Sequence, residues 1–502
     1  MPKLPNNKTL SILGTASDVG KSLVVTALCR LFRNRGLSVT PFKAQNMSNN
    51  SFVTLEGGEM GRAQVVQAKA AGKEPSVHMN PVLLKPEGNS RSQVILQGQV
   101  WDTLQARDYF KRTESLFEKA MESLEFLISN HDWTILEGAG SCGEVNLRNR
   151  DIVNFRPAHH SNASVILVAD IEKGGVFAQI IGTLEVISSE DRARIKGLII
   201  NKFRGDPTLF SDGIKWIEKK TGIPVLAVIP YFENIMIEPE DSLSLSKTTK
   251  LPKNNQTIKI AVIQLPHISN HTDFMPLEYN PNVELSFLKN KTSLNNFDLV
   301  LLPGSKNVCL DMKWLQDNKW DSSLKIYANN KGQIGGICGG YQLLGERILD
   351  PKHVEGNISE IDGLKLLAIE TTLHSKKTLK RTEGIWNSLD QPVRGYEIHC
   401  GQSRFTSIYC QSTIHLSQRS IPTANEGCLS KDLNIWGSYL HGLFDSGPFI
   451  QAFLHAIKPE FEIDQQDLFE DFQVITNREF DKLADFFEKH LAMEKLESIL
   501  KS

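Results

Sequence analysis

Short apolar runs alternate with longer amphipathic stretches through the first half of the chain. Val-, Ile- and Leu-rich runs occupy 10–13, 134–136, 165–169, 198–200 and 225–228, each stopping near Gly, Asp, Asn or Pro. Strands that alternate with helices predict a parallel sheet covered on both faces. A second series follows at 258–265, 299–302, 334–337 and 435–440. Between the two series lies "SLSKTTKLPKNNQT", residues 244–257, polar, basic and nearly free of large apolar side chains. It reads as a linker. Near the end, Phe480, Leu483, Phe487 and Leu491 share one helical face, the mark of a helix packed on the body. The pattern predicts an α/β protein of two doubly wound parallel-sheet domains. Their expected extents are 1–245 and 258–450, with a linker at 246–257 and a helical tail at 451–502.

Composition narrows the class. The chain has 502 residues, 40% hydrophobic and 23% charged, with a net charge of −2. No basic excess favours a polyanion, so nucleic acid is not expected as a partner. The cysteine count is 7, an odd number, with no CxxC pair. Disulfides and a zinc site are therefore not expected, and reduced thiols suit a cytoplasmic protein. The N-terminus "MPKLPNNKTL" has no apolar signal core. No run reaches the ~18 apolar residues of a membrane span. A homo-oligomer is left open.

The first chemical signal is "GTASDVGKS", residues 14–22, between an apolar run and the helical pattern at 23–32. Five residues separate Gly14 from Gly20-Lys21-Ser22, one more than in the common phosphate loop. Glycines let backbone N–H groups approach phosphates, and the following helix N-terminus adds positive potential. Lys21 would reach the outer phosphates and Ser22 would ligate Mg²⁺. The lengthened loop resembles that of dethiobiotin synthetase and its relatives, a deviant branch of the P-loop ATPases. That resemblance implies ATP contacts at Gly14, Thr15, Asp18, Val19, Gly20, Lys21 and Ser22. It also implies a substrate-contacting Lys43 in "PFKAQNMSNNS", a second Mg²⁺ ligand at Glu137 in "TILEGAGS", and an adenine-reading Asn201 in "LIINKF".

The second signal is "GQIGGICGGYQLLGE", residues 332–346. An apolar run reaches Cys338, glycines follow, then a helical pattern. Small residues permit a sharp strand-to-helix turn, a nucleophile elbow, which would set Cys338 at a helix N-terminus where its thiolate is favoured. "IWGSYLHGLFD" supplies His441 as base, and "LLPGSKN" supplies Gly304 and Ser305 beside the expected oxyanion position; Gly339 is the other expected donor. The order resembles the class I glutamine amidotransferases. Most members carry Glu two residues after the His; here Leu443 stands there. The orientation of His441 is thus unassigned, with Glu397 and His399 of "RGYEIHCG" as candidates.

The two halves together imply a glutamine-dependent amide synthetase. The longer blocks "KAQNMSNNS", "LEGAGSCGEVNLRNRDIVNF", "ADIEKGGVFAQ" and "GYEIHCG" resemble the cobyric acid synthase family of the cobalamin pathway. That resemblance implies adenosylcobyrinic acid a,c-diamide, glutamine and ATP as substrates, and Mg²⁺ as the cofactor. Gln45, Asn46, Ser48 and Asn49, with the region 76–86, are the expected corrinoid contacts; Arg62 and Arg91 suit its carboxylates. The rivals are an a,c-diamide synthase, a cell-wall precursor ligase, a P-loop switch and a simple glutaminase.

Overall fold

The computed structural model describes residues 9–88, 91–232, 236–238, 257–416, 425–460 and 469–501. The linker expected at 246–257 lies, but for Thr257, outside the described residues. The described residues fall into two compact bodies. The first draws on Met1–Ser48, Gly58–Glu240 and Thr476–Ser502, the second on Asn49–Gly57 and Asp241–Ile475.

The first body is built on a six-stranded parallel sheet. Its order is Val225–Pro230, Ile195–Phe203, Ser164–Asp170, Thr9–Gly14, Trp133–Glu137 and Val39–Phe42. Five of these are the apolar runs anticipated above. The sixth, Val39–Phe42, contains Pro41, which argues against a central strand; it lies at the sheet edge, where a missing N–H is tolerated. From Thr9–Gly14 the chain runs to Val39–Phe42 at one edge, and from Trp133–Glu137 it crosses to Ser164–Asp170 and on toward the other edge, so the strand order reverses beside Thr9–Gly14. Ligands bind outside the strand C-termini at such a point, and the Gly14–Ser22 loop starts there. A second, smaller sheet orders Gln45–Met47, Val82–Gly88, Arg91–Leu96 and Gln99–Gln105.

The end of the tail joins the core of this first body, whereas Phe453 and Leu454 at its start are buried in the core of the second. Phe480, Leu483 and Phe487 are buried with Leu28, Phe32 and Leu226. Phe480, Leu483 and Phe487 lie on the helix Phe472–His490, which ends before Leu491; a second helix, Met493–Lys501, follows. The break falls at Leu491, which pairs with Ala227, while the Ala492 N–H donates to the Leu226 carbonyl at 2.8 Å.

The second body has its own six-stranded sheet, ordered Val283–Leu288, Ile258–Ile263, Leu299–Leu302, Gln333–Ile337, Ile435–Ser438 and Cys428–Leu429. The first five run parallel and the last antiparallel. The strands expected to end at 265 and 440 stop at Ile263 and Ser438. A separate mixed sheet carries the long antiparallel hairpin Ile369–Trp386 and Gln391–Phe405. Residues of 49–57 pack on it: Val53 is buried with Tyr396 and Ile398.

Candidate active sites

In the first body the loop leaves the strand Thr9–Gly14 and enters the 14-residue helix Lys21–Asn34. Its glycines are dictated by space and conformation. Gly20 has φ 97°, and a Cβ there would lie 2.2 Å from the Asn201 amide nitrogen. A Cβ at Gly14 would lie 2.8 Å from Val19. Lys21 Nζ donates to the carbonyls of Ala16 at 3.0 Å and Gly140 at 2.8 Å, so it lies curled over the loop. The Asp18 carbonyl accepts from Lys202 Nζ at 2.6 Å, and Lys202 pairs with Asp170 at 2.9 Å. Thr15 Oγ1 donates to Gln179 Oε1 at 3.3 Å.

Glu137 ends the strand Trp133–Glu137 and is 1% exposed. Its carboxylate accepts from Ser22 Oγ at 2.8 Å, from Lys43 Nζ at 2.9 Å and from Gln67 Nε2. The structure thus brings together three residues singled out from sequence and adds Gln67. Ser22 and Glu137 present hard oxygen donors side by side, as Mg²⁺ takes when phosphates and water complete its shell. Among the described residues no group of three His, Cys, Asp or Glu is arranged to hold a metal alone. The donor set therefore fits a phosphate-borne Mg²⁺ better than a protein cage. Asn201 is buried, and its Nδ2 donates to the Val19 carbonyl at 2.8 Å, which ties it to the loop.

The expected corrinoid contacts separate. Gln45, Asn46 and Met47 pair in parallel with Val82, Leu83 and Leu84, so two stretches named from sequence are neighbours. Gln45 accepts from Tyr109 Oη, Asn46 Nδ2 donates to Gln64 Oε1 at 3.0 Å, and the Ser48 N–H donates to the Leu84 carbonyl at 3.0 Å. Asn49 belongs to the second body. Arg62 is not a solvated loop residue. It is buried against Glu238, with Nη2 to Oε1 at 2.9 Å. Arg91 is exposed.

In the second body Gly304, Cys338 and His441 follow the C-terminal ends of three adjacent parallel strands. Cys338 has φ 54° and ψ −107°, a strained turn between the strand Gln333–Ile337 and the short helix Gly339–Leu344. Its glycines are forced by close approach: a Cβ at Gly340 would lie 2.0 Å from the Leu302 carbonyl oxygen. At Gly339 it would lie 2.6 Å from the Ser305 nitrogen. A Cβ at Gly304 would lie 3.4 Å from His441 Cε1, so the backbone at 304, 305 and 339 gathers around the Cys338–His441 pair. Cys338 Sγ donates to the Ile398 carbonyl oxygen at 3.6 Å, and Cys338 is near enough to His441 to help raise its pKa.

The missing carboxylate is Asp273. Its Oδ2 lies 2.7 Å from His441 Nδ1, and its Oδ1 accepts the Gly442 N–H at 3.1 Å. Both side chains are buried, at 1% and 3% exposure. Asp273 precedes His441 by 168 residues, in the turn His271–Phe274, with no spacing signal to announce it. Leu443, at the usual Glu position, is buried in the apolar core. The alternatives Glu397 and His399 do not orient His441. They pair with each other at 3.2 Å, His399 Nδ1 bonds the Gly401 carbonyl at 2.6 Å, and its ring stacks on Tyr439.

Burial disfavours the His441 cation, but the Asp273 carboxylate and the Cys338 thiolate outweigh it and raise the pKa to about 10. The site therefore favours the imidazolium form of His441 beside Cys338. Elsewhere burial pushes thiols up, that of Cys142 to about 12, which keeps it protonated and unreactive.

Comparison with known proteins adds the family. The model of the CobQ/CobB/MinD/ParA nucleotide binding domain matches residues 10–245, and that of the CobB/CobQ-like glutamine amidotransferase domain matches 259–449. A cobyric acid synthase of Chlorobium phaeobacteroides (strain BS1) is 48% identical over 500 residues, covering 98% of this chain and 99% of that one. One from Pelodictyon phaeoclathratiforme is 47% identical over 498 residues, 98% of each chain. One from Listeria monocytogenes serotype 4b (strain CLIP80459) is 45% identical over 502 residues, 98% of this chain and 97% of that one. No helix among the described residues is long and apolar enough to cross a membrane.

Proposed function

The chain belongs to the cobyric acid synthase family, and from that premise we propose that it amidates the b, d, e and g carboxylates of adenosylcobyrinic acid a,c-diamide, giving adenosylcobyric acid. Glutamine supplies the nitrogen and ATP drives each step. The observation that carries the reading is the Cys338–His441–Asp273 set in one chain with a phosphate loop closed by Glu137.

In the glutaminase half, the Cys338 thiolate attacks the glutamine carboxamide carbon. The oxyanion forms beside the backbone N–H groups of Gly304 and Gly339. His441 gives its proton to the leaving ammonia, and Asp273 holds the ring and its charge. The thioester is then hydrolysed by water, with His441 as base, releasing glutamate and restoring the thiol.

In the synthetase half, Gly14, Thr15, Asp18, Val19 and Gly20 line the triphosphate, and Asn201 steadies that loop at Val19. Lys21 swings from the Ala16 and Gly140 carbonyls to the outer phosphates. Ser22 and Glu137 would hold Mg²⁺, which supplies charge neutralisation at the phosphates. A corrinoid carboxylate attacks the γ-phosphorus and displaces ADP; ammonia then attacks the acyl carbon and displaces phosphate, losing one proton. Lys43, freed from Glu137, neutralises the acceptor, and Gln45, Asn46 and Ser48 offer amide and hydroxyl partners to it.

The test is isotope transfer. With ¹⁸O in the corrinoid carboxylates, each amidation should place one ¹⁸O in the released phosphate. Unlabelled phosphate alongside amide product would exclude the acyl phosphate.

A further inference from the structure

Asn50 and Ser51, which close the run "QNMSNNS", pack within the glutaminase body. Asn270 carries this contact. Its backbone is left-handed, φ 51° and ψ 39°, and it opens the turn that bears Asp273, whose N–H donates to the Asn270 carbonyl at 3.0 Å. The Asn270 N–H donates to Asn50 Oδ1 at 2.9 Å, and Asn270 Oδ1 accepts the Ser51 N–H at 2.9 Å. Its remaining amide nitrogen lies 3.3 Å from Tyr396 Oη and 3.4 Å from His441 Nδ1. Tyr396 is held from the same side: its hydroxyl donates to the Ser51 carbonyl at 3.2 Å. Its ring stacks on His441, with centroids 5.2 Å apart, and the two residues exchange backbone hydrogen bonds at 2.9 and 3.1 Å. Asn50 and Asn270 are 3% and 2% exposed.

We propose that Asn50 and Asn270 are positioning residues of the glutaminase, fixing the Asp273 turn and the His441 ring through a reciprocal Asn–backbone clamp. The inference rests on the glutaminase reading of Cys338 and His441. A buried, fully paired polar clamp specifies one geometry, because each unmade bond leaves a desolvated group. Residues 50 and 51 thus act on ammonia release, and only the earlier part of the run is left for the acceptor.

The test uses the full-length chain with Asn50→Ala, Asn270→Gly and the double variant. Glycine preserves the left-handed backbone while removing the amide. Glutamine hydrolysis should lose about 10- to 100-fold in kcat, the cost of a misplaced catalytic group, with KM for glutamine little changed. The alkaline limb of its pH profile should move down as the Asp273–His441 contact loosens. The double variant should lose no more than the worse single one, since both break one clamp. Synthesis driven by ammonium chloride should keep the parent rate, which also shows that the chain has folded. Hydrolysis within twofold of parent in Asn50→Ala, or an equal loss of ammonium-driven synthesis, overturns the proposal. Undiminished hydrolysis in Cys338→Ala would instead sink the glutaminase reading beneath it.

Discussion

Replacing Asp273 by Asn removes one charge and almost no volume. Asp273 and His441 are 2.7 Å apart and both buried. At an effective dielectric of about 20, unit charges at that separation attract by ~6 kcal/mol. At 1.36 kcal/mol per unit, that is about four pKa units before desolvation is counted. It is ample to account for a His441 pKa raised from 6.5 to about 10 against the pull of burial. Without the carboxylate, burial dominates and the imidazolium loses its hold at neutral pH. The asparagine amide can also favour the wrong ring tautomer. Glutaminase kcat should fall on the order of 10²- to 10⁴-fold, the range found when a triad carboxylate is neutralised. The alkaline limb, near pH 10 in the parent, should move toward neutrality. A second consequence concerns stability. The folded pKa lies above the unfolded one, so the pair's stabilisation is complete below about pH 6.5 and is lost as pH rises through about 10. Urea unfolding between pH 6 and 10 should show that slope in the parent and a flatter one in Asp273→Asn. The assay is glutamate release against pH, with ammonium-driven synthesis as the control. Retention of kcat within twofold and an unshifted alkaline limb would refute the assignment of Asp273.

Cys338→Ala should abolish synthesis from glutamine and leave synthesis from ammonium salts intact; loss of both in a folded chain would refute the division of labour. Glu137→Gln should depress both, since it alters a Mg²⁺ ligand and the Lys43 partner, and raise the Mg²⁺ needed for half-maximal rate; an unchanged Mg²⁺ titration would remove Glu137 from the metal site. Gly340→Ala should destabilise the second body by about 1–3 kcal/mol in denaturant unfolding, because its Cβ would sit 2.0 Å from the Leu302 carbonyl oxygen. An unchanged midpoint would mean the elbow has room to spare.

What was legible in the sequence follows from how locally each feature is encoded. The strands at 165–169 and 299–302 are fully buried, so their apolar runs are unbroken and easily read. The phosphate loop and the Cys338 elbow depend on glycines a few residues from the reactive side chain, so composition and spacing show them together. Val39–Phe42 was hidden by Pro41, whose cost vanishes at an edge. Asp273 was hidden for another reason. It meets His441 only through the sheet's strand order, and nothing within the turn His271–Phe274 distinguishes a triad carboxylate from an ordinary polar residue. The Arg62 partner was hidden similarly, because Glu238 is 176 residues away. The tail's apolar stripe was legible, but its break at Leu491 was not, since that residue is paired to Ala227 across the fold.

The central claim is sequential amidation of one corrinoid by one chain. Adenosylcobyrinic acid a,c-diamide, incubated with the protein, ATP–Mg²⁺ and glutamine, should be followed by mass spectrometry. The account expects four successive carboxylate-to-amide conversions, each requiring ATP, ending at adenosylcobyric acid. An unchanged a,c-diamide, with two amidations of cobyrinic acid instead, would contradict it and place the protein one step earlier on the same macrocycle.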